Sequence, residues 1–202
     1  MTPQQIVALL ASISFGAGVN VYATVATLGL LERSGFVDLP PALDPVASWW
    51  TIGICVVMFG MEFVADKIPF VDLVWNFLHT FVRIPVAAAI AWAATLDMGP
   101  EWQFAATFLS GTIAFIAHGG KLAVRAAVTA SPEPVSNIAL SFAEDIFAVF
   151  LTWFATEHPY IAAGIVLSLL AVALVLIRWV VRALRAAFSG RRPKSLSHGT
   201  AG

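Results

Sequence analysis

Nine charged side chains stand where an apolar sequence has least room for them. Glu62, Asp66, Lys67, Asp72, Arg83, Lys121, Arg125, Glu144 and Asp145 interrupt long aliphatic and aromatic runs, whereas residues 1–31 and 159–177 carry no charge at all. An ionised side chain near the centre of a bilayer costs roughly 2.5–3.5 kcal/mol even on lenient insertion scales. Charges kept at that cost mark a polar interior. Glu62 and Asp66 are one helical turn apart, and Glu144 and Asp145 are adjacent. Like charges repel and burial disfavours the ionised form, so such pairs suit the binding and release of protons or cations. Lys121 and Arg125, one turn apart and joined by Arg83 if their helices pack, suit a phosphate or carboxylate group. His118 lies one turn before Lys121, placed for a relay step or, as is commoner, for a hydrogen bond to a neighbour.

These residues form stripes at spacings of three and four, which place each set on one helical face. The second apolar segment carries Thr51, Cys55, Met58, Glu62 and Asp66. The third carries Asp72, Asn76, His79 and Arg83, and the fourth Thr107, Gly111, Ala114, His118, Lys121 and Arg125. The fifth carries Asn137, Ser141, Glu144 or Asp145, Ala148 and Thr152. A milder stripe, Ser12, Gly16, Asn20, Thr24 and Thr27, runs through the first segment and reads as a helix-crossing surface. The sixth segment has none and reads as the lipid-facing, closing helix. Polar faces on helices in lipid are buried only against one another.

The composition requires that setting. The 202-residue chain is 59% hydrophobic and 11% charged, with a formal net charge of −1, and its mean hydropathy is +0.87. Soluble domains carry about 25% charged residues. The expected class is therefore an all-α, polytopic transmembrane bundle of about six spans, at residues 5–31, 46–66, 70–97, 103–129, 135–156 and 159–181. Each is near the ~20 residues that cross a hydrocarbon core. Prolines mark the joints: Pro40-Pro41, Pro45, Pro69, Pro100, Pro132, Pro134 and Pro159. Residues 1–187 form one domain, and 188–202 read as a basic, disordered tail. The single cysteine, Cys55, excludes an intrachain disulfide. There is no Walker loop, zincin histidine pair, CxxC or GxSxG, so the sequence points to no enzyme, cofactor, metal or nucleic acid.

Arg178, Arg182, Arg185, Arg191, Arg192 and Lys194 place the C-terminal end in the cytoplasm of a plasma (inner) membrane protein. Six crossings then put the N-terminus there too, with Asp38, Asp44, Asp97, Glu101 and Glu157 outside. The third segment, 70–97, would be ~42 Å long as a helix, too long for a ~30 Å core unless it tilts, kinks at Pro85, or has its first half at the inner interface or as a re-entrant piece. Phe63-Val64-Ala65-Asp66 matches Phe142-Ala143-Glu144-Asp145, and residues 16–25 align with 119–128. Two inverted three-helix repeats would produce this, as would chance among Ala, Val and Phe.

The pieces Glu62…Asp66-Lys67-Ile68-Pro69…Asp72, Thr80-Phe81-Val82-Arg83, Lys121…Arg125-Ala126 and Asn137…Ser141…Glu144-Asp145 resemble a family of small bacterial and plastid membrane proteins catalogued only as a domain of unknown function. The resemblance covers roughly residues 6–177. The family's first helix usually reads Gly-Leu-Arg-Ala where this chain has Gly18-Val19-Asn20-Val21-Tyr22-Ala23, so one family cation is missing. The resemblance implies a fold and supplies no reaction.

Two readings follow. The first is a proton-coupled secondary transporter or translocase of an anionic or lipid-linked phosphate substrate. Its site residues are Glu62, Asp66, Lys67, Asp72, Arg83, His118, Lys121, Arg125, Asn137, Ser141, Glu144 and Asp145. The second is a non-transporting scaffold or assembly factor whose charges pair internally. Either partners the lipid bilayer, and either is compatible with a homo-oligomer.

Overall fold

The computed structural model describes residues 1–129 and 134–189, with the side chains of residues 69, 70, 73, 127–129, 134–137 and 187–189 outside that description. The described residues are helical: α1 (Pro3–Val19), α2 (Val21–Arg33), α3 (Trp49–Ala65), α4 (Pro69–Ala94), α5 (Pro100–Thr129), α6 (Pro134–Glu157) and α7 (Pro159–Ser189). Short 3-10 helices cover Pro41–Ala47 and Leu96–Met98. Pro3, Pro69, Pro100, Pro134 and Pro159 each open a helix, where a missing N–H costs nothing and the fixed φ is already helical. Three helical stretches are long and apolar enough to cross a membrane: Val74–Ala94, Ile138–Glu157 and Pro159–Ala186. The Pro41–Ala47 turn and α3 make a fourth as a pair bent by 52°. Only 17% of the apolar stretch of α7 is buried, against 33% and 39% for α4 and α6, which fits its lack of a polar stripe.

The first apolar segment is not one helix. Asn20 takes an extended backbone conformation (φ −148°, ψ 103°), closes α1 through its N–H on the Gly16 carbonyl and caps α2 by accepting the Ala23 N–H. Gly16 and Thr24 lie four residues from Asn20 on opposite sides. A Cβ added to Gly16 would lie 2.9 Å from Thr24 Oγ1 and 3.5 Å from Thr152 Oγ1. Asn20 itself meets Asp145, two turns earlier in α6. The chain therefore descends along α6 as α1, turns at Asn20 and climbs back as α2. At the top, Arg33 donates to the Ala47 carbonyl and lies over Trp49. The expected single span over 5–31 is a hairpin.

This moves the N-terminus. Pro3 and Gln4 share a groove with Asp97, Met98, Trp102 and Tyr160, at the end of the bundle where α5 and α7 begin. The basic residues of α7 lie at the other end. The two ends of the described chain thus lie at opposite ends of the helix bundle.

The third segment forms a helix that ends at Ala94, short of the expected residue 97. Helix α4 runs unbroken through Pro85. Asn76, His79 and Thr80 each hydrogen-bond a carbonyl one turn back, and Ala87, Ile90, Ala91 and Ala94 are buried in the core. The packing of Ala87, Ile90, Ala91 and Ala94 in the core anchors the half of the helix that follows Pro85.

Candidate functional site

The helix break creates the site. Where a helix ends, its last carbonyls lack partners and carry partial negative charge. At the end of α1, Arg83 Nη1 donates to the Gly18 carbonyl at 3.3 Å and Lys121 Nζ to the Val19 carbonyl at 3.1 Å. Gly18 permits this approach: a Cβ there would be 2.5 Å from the Ala114 carbonyl oxygen and 2.7 Å from Ala117 Cβ of α5. Asn20, Arg83 and Asp145 lie close to the midpoints of their respective hairpin or helix and are buried.

From that point a buried ion network runs toward the end where α3 and α5 finish and α4 and α6 begin. Arg83 pairs with Glu62 at 2.5 Å. Lys121 lies 3.4 Å from Glu62, 3.6 Å from Asp66 and 3.3 Å from Glu144. Arg125 reaches Asp66 at 2.7 Å, Asp72 at 2.7 Å and Glu144 at 2.6 Å, so one guanidinium joins three helices. Ser141 Oγ donates to Asp66 at 3.5 Å. The network is nearly closed to solvent, with Asp72 and Glu144 its most exposed members at 13% and 10%.

Asp145 differs from the other four carboxylates. Its Oδ1 accepts a hydrogen bond from Asn20 Nδ2 at 2.9 Å, its Oδ2 has no partner, and no cation lies within ion-pairing distance of it among the described residues. It is nevertheless only 5% exposed. Glu62, Asp66, Asp72, Glu144 and Asp145 thus outnumber Arg83, Lys121 and Arg125 by two in a buried space.

Ring hydrogen bonds fix the histidines. A guanidinium only donates, so His118 Nδ1 accepts from Arg83 at 2.8 Å and Nε2 carries the hydrogen, given to Thr80 Oγ1 at 2.9 Å. His118 braces Arg83, the hydrogen bond to a neighbour that is the commoner role for such a histidine. His79, stacked on Trp75 at 4.4 Å, donates from Nδ1 to the Trp75 carbonyl and accepts the Tyr22 hydroxyl at Nε2.

Of the residues singled out from sequence, Glu62, Asp66, Asp72, Arg83, His118, Lys121, Arg125, Ser141, Glu144 and Asp145 come together. Lys67 stands at the edge: its ammonium donates to the Phe63 carbonyl and lies over the rings of Phe63 and Phe142. The side chain of Asn137 lies outside the described residues. Asn20 was read as a crossing residue and is instead the joint of the site. The signal was available in a polar, helix-weak residue preceded by Gly16 and Gly18.

Residues 7–179 match the family described as Domain of unknown function (DUF4126). The chain belongs to that family. The match takes in the hairpin from residue 7 onward, every residue of the ion network and most of α7, so the site lies wholly within the family's domain. No curated protein and no solved structure matches the chain.

Proposed function

We propose that the protein is a small proton-coupled secondary transporter of the plasma membrane, with Asp145 and the hairpin tip at Asn20 as its exchange site. The observation that carries this reading is a buried carboxylate with no cation partner among the described residues, held at a break between two half-helices. Broken helices that meet near the bilayer midplane are where secondary transporters bind ions and substrates. A carboxylate left ionised there has its charge uncompensated, so a proton or a cation completes it. The ring of Phe63 sits edge-on to Phe142 at 5.0 Å, so the two matched tetrapeptides meet as the halves of an inverted repeat do.

In this reading α3 to α7 cross the membrane and α1–α2 is a re-entrant hairpin, open to the outer side. The basic end of α7 is cytoplasmic, and the N-terminus is outside. Most donors of Arg83, Lys121 and Arg125 fall on the chain's own carboxylates, carbonyls and His118, with Arg83 Nε left over, and this reading therefore takes cations before the anionic or lipid-linked substrate read from sequence. Proteoliposomes on a sensor surface provide the test. A jump to acidic pH drives a charge displacement that Asp145→Asn abolishes in folded protein. A signal that survives both Asp145→Asn and Asp66→Asn overturns the proposal.

The scaffold reading keeps one observation in its favour: buried ion pairs that tie α3, α4, α5 and α6 together have the form of a structural core. It requires Glu62→Leu or Arg83→Leu alone to cost about 3–5 kcal/mol and the double variant to recover most of that, with no charge displacement in any of them.

A further inference from the structure

Helices α1, α5 and α7 begin at one end of the bundle, and with the Leu96–Met98 turn they enclose a groove of about 620 Å³. That volume lies in the range of ligand pockets. The two halves of the groove differ in chemistry. Its deeper wall is apolar and includes Val7 and Leu167; by helical rise Leu167 lies about 12 Å beyond the start of α7. Its mouth carries Gln4, Asp97, Trp102 and Tyr160, all exposed. None of these four side chains has a hydrogen-bond or ion-pair partner among the described residues. Amphipathic rings such as those of Trp102 and Tyr160 settle at the level of lipid headgroups, so the groove runs from that level into the acyl layer. The charge at the mouth is of one sign. Glu101 and Glu157 are exposed at the same end as Asp97, and no cation, the terminal amine included, lies within ion-pairing distance of any of them among the described residues.

We infer that this groove seats a phospholipid of the surrounding bilayer whose headgroup bears an ammonium, with Asp97 as the counter-charge. One acyl chain lies against Val7 and Leu167. The phosphate and ester oxygens take the donors of Gln4, Trp102 and Tyr160, and the ammonium is set toward Asp97. An ammonium beside these two rings also gains from their electron-rich faces. A headgroup with net negative charge meets the same donors but finds three carboxylates and no ammonium of its own to answer them, and is disfavoured. The inference rests only on the chain lying in a bilayer; it needs neither Asp145 nor a particular orientation of the bundle.

Phosphatidylethanolamine and phosphatidylglycerol with identical acyl chains differ in the ammonium alone among their charges. Native mass spectrometry of the full chain, equilibrated in detergent with equal amounts of the two, counts which lipid is retained. The unaltered protein is expected to keep phosphatidylethanolamine at least threefold over phosphatidylglycerol. Asp97→Asn removes that preference and Asp97→Lys reverses it. Both variants melt with the unaltered protein, since the Asp97 side chain has no partner to lose. Leu167→Trp, at a position 68% exposed, fills the groove and lowers retention of both lipids severalfold. Equal retention of the two lipids by the unaltered protein overturns the inference, as does a preference that survives Asp97→Lys or retention undiminished by Leu167→Trp. The charge displacement on an acid jump is expected to be unchanged in Asp97→Asn, so the lipid site and proton exchange stand or fall separately.

Discussion

Arg125 is the residue on which the buried charges most depend. It offers its planar donors to Asp66, Asp72 and Glu144 at once, a geometry that lysine, with its single compact ammonium, does not reproduce. Arg125→Leu leaves three carboxylates short of their partner, and removing one side of a buried pair costs about 3–5 kcal/mol. Thermal unfolding in detergent, followed by tryptophan fluorescence, is expected to show Arg125→Leu far below the unaltered protein and Arg125→Lys between them. Ser141→Ala removes one long hydrogen bond to Asp66, worth about 1 kcal/mol or less, and stays close to the unaltered protein. A ranking with Ser141→Ala as damaging as Arg125→Leu would show that the guanidinium is not what joins these helices.

At the scale of the elements, the hairpin α1–α2 turns on two small features. Asn20→Ala removes both the α2 cap and the donor to Asp145. Loss of the cap alone costs about 1 kcal/mol. Gly18→Ala forces a methyl into the Ala114 carbonyl and Ala117, an overpacking that costs about 1–3 kcal/mol. Both variants are expected to melt earlier, whereas Gly53→Ala, with open space around its Cβ position, is expected not to. The contrast also measures what the sequence disclosed. The stripes of α3 to α6 were legible because a buried charge is costly wherever it stands, so charges spaced by three and four declare a shared face without a structure. The hairpin was hidden because the first segment is apolar throughout, and hydropathy is blind to direction: a helix that crosses and one that turns back read alike. Pro85 lies within the 26-residue helix α4, whose packing outweighs the single backbone hydrogen bond that proline removes. Asn20 inverted expectation because its amide was weighed as a crossing contact rather than as a cap able to start a new helix.

For the whole molecule, the hairpin decides which ends lie on which side. In a Cys55→Ser background, since Cys55 is buried in the native chain, single cysteines at Thr2, Asp97 and Arg182 are all exposed. A membrane-impermeant maleimide applied to intact cells is expected to label Thr2→Cys and Asp97→Cys, and to label Arg182→Cys only after the cells are opened. Labelling of Thr2→Cys and Arg182→Cys from one side would restore a first segment that crosses and remove the re-entrant hairpin.

The triple grip of Arg125 also divides the protein mechanically. It fastens α3, α4, α5 and α6 into a single stator, so any rocking that alternates exposure falls to the parts it does not hold, the hairpin and α7. A bismaleimide bridging cysteines at Phe63 and Phe142 should therefore leave turnover intact, while one clamping α2 to α6 at Thr24 and Thr152 should stall it.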